Sequence, residues 1–266
     1  MAVKSTKSKK KKKVKEIKIN PKIIITAVAV CIVIAVIASC VSLASRRPHT
    51  EHYDFGKERA QGVDVSEHNG KINWEKLAEE YDFAFIRVGY RGYGKNGIIT
   101  EDKYARDNLA AANEAGIPVG IYFYSQATNE KEAEKEAAFA AKVARRYRVE
   151  LPLMIDSEYP CDSSGRHVGR LVDANLTADE AAEIINAFLD KAEDKGYSSG
   201  LYASSSVLYN NISTDKLNDS AVIWAADYNS RVTYDVDYTI WQYSERGKSK
   251  AVSSKYIDLN YWYNGK

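Results

Sequence analysis

From Gly62 onward, apolar runs of strand length alternate with amphipathic segments of helix length, and no other feature of the chain limits its fold as closely. The runs are GVDVS, FAFIRVGY, PVGIYFYS, LPLMIDSEY, GLYASSSV, AVIWAADY, YTIWQYS and YIDLNYWY. Between the earlier ones, residues 74–81, 102–115, 129–147 and 177–195 carry Ala, Leu, Glu and Lys at helical spacing. Eight such runs with interleaved helices predict an α/β fold, a parallel (β/α) barrel of TIM-like layout. The last three runs are joined by short polar connections with little room for a full helix, so the final third of the barrel is expected to be incomplete or partly antiparallel. Gly116 supplies a helix stop, and Thr177-Ala-Asp-Glu180 reads as a capping box.

The segment before this body has a different character. Ten lysines against one glutamate give the first 22 residues a net charge of +9, while the rest of the chain carries −7. Residues 23–44 follow without a single charge, and as a helix at about 1.5 Å per residue they span roughly 33 Å, enough for a bilayer core. The expected reading is one transmembrane helix, with the lysine-rich end cytoplasmic and the body outside. The basic head then serves topology and anionic lipid, and nucleic acid is not an expected partner. Ser42-Leu43-Ala44 resembles a signal-peptidase site and Ile37-Ala38-Ser39-Cys40 a lipoprotein box; an uncut helix or a lipidated Cys40 both keep the body at the membrane. Residues 45–61 read as a polar stalk and 62–266 as the folded domain. Cys31 and Cys40 lie in the apolar run, which leaves Cys161 alone in the body and no disulfide within it.

Within the fourth run, Asp156 and Glu158 stand one residue apart. Residues two apart on a strand point the same way, so the two carboxylates share a face, with Cα atoms about 6.6 Å apart. Met154 precedes them on that face, at the carboxyl end of a strand, where barrel enzymes build their sites. Close carboxylates resist simultaneous ionisation, which leaves one of them as a proton donor near neutral pH, as glycoside hydrolysis requires. Asp64, Asp227 and Asp258 are each embedded in an apolar or aromatic run, and burying such groups separately is costly unless they converge on a polar cleft. Tyr122 and Tyr124 alternate onto one face, and Tyr202, Trp241 and Gln242 end other runs. Aromatic faces beside acids suit a sugar, and the chain has 19 tyrosines to supply them.

In these residues the body resembles the glycoside hydrolase family 25 muramidases, the Chalaropsis-type lysozymes. The likeness spans about residues 62–263 and rests on an ordered set: GVDVSEHNGKINW, FAFIRVGYRGYG, GIYFYSQA, LMIDSEY, GLYASSSVLYNN, IWQYS and IDLN. It implies an enzyme that cleaves the β-1,4 bond between N-acetylmuramic acid and N-acetylglucosamine in peptidoglycan, on an incomplete barrel and without a cofactor. It implies Glu158 as proton donor, Asp156 as its partner, and Asp64 and Asp258 as further acids of the site. A retaining route through the substrate's acetamido group, steadied by Asp156, is preferred over a covalent link to Asp64. The polar segment CDSSGRHVGRLVDAN after LMIDSEY departs from the pattern and is either groove wall or inert.

Other chemistries fit less well. Gly89 to Asn96 nearly matches a phosphate loop, but Asn96 stands where the magnesium-binding hydroxyl belongs. His68 and His167 lack metal-ligand spacing, so no metal is expected. Arg87 either orients substrate or pairs with an acid. A wall-binding protein without turnover and a chitinase-like hydrolase stand as alternatives to a muramidase.

Overall fold

The computed structural model describes residues 53–264, all within one compact unit. Nine strands form one sheet: β1 (Arg59–Val65), β2 (Phe83–Arg91), β3 (Ile99–Glu101), β4 (Val119–Ser125), β5 (Leu153–Ser157), β6 (Ser199–Ser204), β7 (Val222–Ala226), β8 (Ile240–Gly247) and β9 (Ile257–Tyr263). β1 pairs with both β2 and β9, which closes eight strands into a barrel; β3 folds back on the far end of β2. Six helices accompany them: α1 (Trp74–Glu80), α2 (Ala105–Ala115), α3 (Glu130–Ala144), α4 (Arg170–Ala174), α5 (Ala178–Asp194) and α6 (Ser205–Asn211).

The expected (β/α) TIM-like barrel is corrected here to a mixed eight-stranded barrel with a few helices. β1, β2 and β4 to β8 run parallel, but β9 is antiparallel to both its neighbours. The physical reason lies in the connections. A parallel return needs a crossover of a dozen or more residues, and only nine separate β8 from β9, so the chain can only turn back. Residues 227–239, between β7 and β8, form an irregular crossover without a helix.

The four expected helices of the first two-thirds form at their start and stop signals. Asn73 caps α1 through Lys76 N, Asn129 caps α3 through Glu132 N, and Thr177 with Glu180 completes the capping box of α5. Gly116 ends α2 in the left-handed conformation at φ 74°, where a side chain would be strained. β1 begins at Arg59, and Phe55 packs against Phe83 and Trp262, so the body starts before the expected boundary at Gly62. Among the described residues no helix is long and apolar enough to cross a membrane. The expected span at 23–44, the basic head and most of the stalk lie outside the described residues.

Two layers of core follow from strand alternation. Outward side chains such as Val63, Ile86, Ile121, Ile155 and Leu201 pack under α2, α3 and α5. Inward, Phe83, Phe85, Met154, Trp224, Ile240 and Trp262 fill the lower barrel. A Cβ on Gly120 would come within 2.2 Å of the Phe85 ring, so a glycine is needed there for that ring to lie across the interior. Above this plug the inward positions turn polar, and that change creates the site.

Candidate active site

One step further along the same strands, the inward side chains are Asp64 (β1), Arg87 (β2), Tyr122 and Tyr124 (β4), Asp156 (β5), Tyr202 (β6), Gln242 (β8) and Asp258 (β9). With Glu158, just past the end of β5, they line a cleft of about 650 Å³ at the carboxyl end of the parallel strands. Nine of the eleven residues singled out in the sequence therefore converge: alternation placed eight on the inner faces of their strands, and Glu158 follows directly after β5.

Asp64 is buried and accepts hydrogen bonds from Gln242 Nε2 at 2.9 Å and Asn260 Nδ2 at 2.8 Å. Asn260 is held in turn by Trp224 Nε1 at 2.8 Å. Burial pushes the Asp64 carboxyl up to about 6, against the pull of these donors. Asp258 lies opposite and hydrogen-bonds to it; burial, with the nearby charges of Asp64, Glu245 and Glu158, pushes Asp258 up to about 8. Of the two, Asp258 is the carboxyl more disposed to hold a proton and Asp64 the one more disposed to accept its hydrogen bond.

Asp156 is raised well above the ordinary aspartate range, first by burial, then by the charges of Glu158 and Asp64, with Arg87 opposing. Its Oδ1 is buried without a hydrogen-bond partner. Glu158 is half-buried in the cleft wall and is also raised, by burial and by Asp64, while a hydrogen bond from Tyr202 favours its ionised form. The Tyr202 hydroxyl also reaches Gln242 Oε1 at 2.9 Å, an oxygen it shares with Tyr228 at 2.7 Å. Four acids thus face one cleft from opposite sides, Asp64 and Asp258 from β1 and β9, Asp156 and Glu158 from the end of β5. Burial, with the charges of neighbouring acids on all but Asp64, holds their carboxyls above the ordinary range.

Arg87 pairs with acids outside this group: its Nε donates to Asp102 Oδ2 at 2.8 Å, and a second nitrogen lies 3.3 Å from Glu67. The guanidinium still lines the cleft, where its charge opposes the rise of the Asp156 carboxyl.

Support for Glu158 comes from residues that single-strand patterns did not reveal. Gln126, wholly buried after β4, donates from Nε2 to the backbone carbonyls of Glu158 at 2.8 Å and Ser125 at 3.0 Å. Arg170, from the segment whose purpose the sequence left open, donates to the Gln126 carbonyl at 3.1 Å, to Lys95 O at 2.9 Å and to Glu132 Oε1 at 2.7 Å. The segment therefore clamps the loop at 92–98, which carries Tyr93 to the cleft rim. Asn260 and Tyr228 were missed as well, although Asn260 follows Asp258 by the same period of two.

Two expected residues lie elsewhere. Asp227 does not line the cleft. It follows the last residue of β7, and its oxygens accept from Ser205 Oγ at 2.7 Å, Thr233 N at 2.8 Å, Thr233 Oγ1 at 2.6 Å and Asn229 Nδ2 at 2.7 Å. Burial pushes this carboxyl up, but those donors outweigh it and hold it well below the ordinary range. Trp241 precedes Gln242 on β8 and so faces outward, packing near Tyr243 and Tyr261 and donating to the Asp227 carbonyl at 2.8 Å. Cys161 sits beside His167, with Sγ to Nδ1 at 3.4 Å, on an exposed hairpin outside the cleft lining. Among the described residues no cluster of three or more His, Cys, Asp or Glu has an arrangement that could hold a metal ion.

A mixed barrel whose mouth carries clustered acids and tyrosines is a setting suited to glycoside hydrolysis. The chain belongs to glycosyl hydrolases family 25, whose model matches residues 63–252. It is similar to the modular autolysin LytC from Streptococcus pneumoniae, solved in complex with a synthetic peptidoglycan ligand, at 26% identity over 77% of this chain with a TM-score of 0.65. The match spans 47% of that autolysin, about half its length. A family 25 glycosyl hydrolase from Bacillus anthracis gives 24% identity, 81% of this chain and 93% of that one, with a TM-score of 0.59. The bacterial lysozyme from Streptomyces coelicolor gives 23% identity, 78% and 93% coverage, and a TM-score of 0.59. No curated protein matches the chain at a significant level.

Proposed function

We propose that the protein is a muramidase that hydrolyses the β-1,4 bond between N-acetylmuramic acid and N-acetylglucosamine in peptidoglycan, with retention of configuration. The observation that carries this reading is the state of Glu158: a half-buried carboxyl at the cleft wall, raised by burial and by the neighbouring Asp64 charge, and thus disposed to hold a proton. In that role Glu158 protonates the leaving oxygen. The unpartnered Asp156 Oδ1 accepts the N–H of the substrate's 2-acetamido group and turns its carbonyl oxygen toward the anomeric carbon. That oxygen bonds to carbon as the glycosidic bond breaks, giving an oxazolinium ion. Glu158, now ionised, takes a proton from water, which attacks the same carbon and restores the acetamide. Asp64, hydrogen-bonded to Asp258, supplies negative potential beside the developing positive charge, and Tyr122, Tyr124 and Tyr202 offer ring faces and hydroxyls to the sugars.

The sequence also supports a tether. The lysine-rich head and the uncharged run at 23–44 favour a single-pass anchor with the barrel outside, which suits local cutting of the wall next to the protein's own membrane. Zymography on peptidoglycan with wild type and Glu158→Gln tests the hydrolase reading: clearing by wild type alone supports it, and clearing by both or by neither sinks it. Mass spectrometry of the digest tests the bond: products with reducing muramic acid ends are expected, and reducing glucosamine ends would assign a different glycosidase.

A further inference from the structure

All six large apolar side chains that the described residues leave exposed lie on connections after barrel strands whose ends form the mouth: Tyr93 and Ile98 after β2, Val172 after β5, Tyr209 after β6, and Tyr228 and Tyr234 after β7. Exposed apolar residues scattered singly need no explanation, but these six follow strands whose ends form the mouth, two of them line the cleft and two others touch each other.

The β6–β7 side of that opening is the better built. Tyr228 belongs to the cleft wall, where its hydroxyl holds Gln242. Six residues on, Tyr234 meets Tyr209 with ring centroids 5.4 Å apart and planes at 40°. Tyr234 and Tyr209 are 38% and 58% exposed as residues, so each keeps open surface. Asp227 fixes the corner that presents them: it binds Ser205 at the start of α6, which carries Tyr209, and Thr233 beside Tyr234. The residues next to them in sequence, Asn210, Asn211 and Asp235, are polar and exposed. Two tilted rings in a polar frame suit a polymer that offers C–H faces and hydroxyls by turns better than they suit a flat apolar protein surface. Holding the rings in place beforehand lowers the entropy lost on binding.

We propose that Tyr209 and Tyr234 form an outlying sugar subsite, which grips a glycan strand as it leaves the cleft past Tyr228. The proposal rests on the glycan reading above and adds that affinity grows with strand length through this pair.

The test measures binding without turnover. Full-length Glu158→Gln protein is titrated calorimetrically with N-acetylglucosamine–N-acetylmuramic acid oligomers of four and of eight sugars. The octamer is expected to bind about tenfold more tightly, a difference of about 1.4 kcal/mol. Adding Tyr209→Ala and Tyr234→Ala should bring the ratio close to one, and Tyr209→Phe with Tyr234→Phe, which keeps the ring faces, should retain it. A ratio that survives the alanine pair, a ratio lost in the phenylalanine pair, or no length dependence in the Glu158→Gln parent would each overturn the subsite. Binding of neither oligomer would overturn the subsite and the glycan reading together. Failure of the wild type to cleave, with the length dependence intact, would overturn only the hydrolase reading.

Discussion

Asp64 and Asp258 face each other as register partners across the antiparallel pair β1–β9, and their carboxyls are joined by a hydrogen bond. The pairing exists because β9 turns back on β8; a parallel ninth strand would not bring residue 258 opposite residue 64 in this way. Because burial raises Asp258 from 3.8 to about 8, the folded protein binds a proton that the unfolded chain releases. Stability from this group is therefore fully present below pH 4 and is lost as pH rises toward 8. Asp258→Asn keeps an N–H for Asp64 and removes the titration. Urea melts should show the variant gaining on wild type from pH 5 to pH 8; equal slopes would place the Asp258 proton elsewhere.

Tyr202 offers a finer test of Glu158. Its hydrogen bond favours the carboxylate, so Tyr202→Phe should raise the Glu158 carboxyl further. Activity that needs the protonated form falls as pH rises through that value, so the alkaline limb of the rate profile should move to higher pH. A shift to lower pH, or none, would remove Tyr202 from control of the acid. Glu158→Gln itself should lower turnover by roughly 10² to 10⁴, the usual contribution of a general acid.

Arg170 joins three segments: the loop at 92–98, the turn after β4 and the start of α3. Arg170→Met leaves the Glu132 carboxylate with only Thr128 and the more distant Arg91 guanidinium, 3.9 Å away, and frees the carbonyls of Gln126 and Lys95. A loss of about 1.5 to 3 kcal/mol in urea unfolding is expected, the range for hydrogen bonds to a charged group. Because Gln126 also holds the Glu158 backbone, kcat should fall while KM changes little at temperatures where the variant is fully folded. A fall confined to KM would assign Arg170 to the rim loop alone.

How far the site could be read from sequence follows from what period-two alternation carries. It placed Asp156 beside Met154 on the inner face of β5, and it put Arg87, Tyr122, Tyr124 and Gln242 in the same layer. Applied strictly it would have separated Trp241 from Gln242, since neighbours on a strand face opposite ways, and added Asn260 to Asp258. It stops at the strand's end, which is why Asp227, one residue past β7, looked like a site acid and is a loop staple. Alternation also says nothing about strand direction, so the reversal of β9 had to be inferred from connection length. The reach from Arg170 to Gln126 joins residues 44 apart through a backbone carbonyl, and a carbonyl leaves no mark in side-chain chemistry.

Asp227 is where loop structure and the outlying tyrosines meet. Its carboxyl accepts from Ser205, Asn229 and Thr233, which hold it well below its unfolded value despite burial. A group depressed in the folded state stabilises above its unfolded pKa, and that stability disappears as pH falls through the folded one. Asp227→Ala leaves several donors without an acceptor and should cost about 1.5 to 3 kcal/mol at pH 7, the range for hydrogen bonds to a charged group. The difference from wild type should shrink toward pH 2, where the carboxylate begins to protonate in the folded protein too. Hydrogen exchange should quicken at the amides of Asn229 and Thr233, which bond directly to the carboxylate, and leave β7 itself protected. Exchange that quickens equally through β7 and β8 would mean that Asp227 supports the barrel wall, and the corner carrying Tyr228 and Tyr234 would then need another anchor.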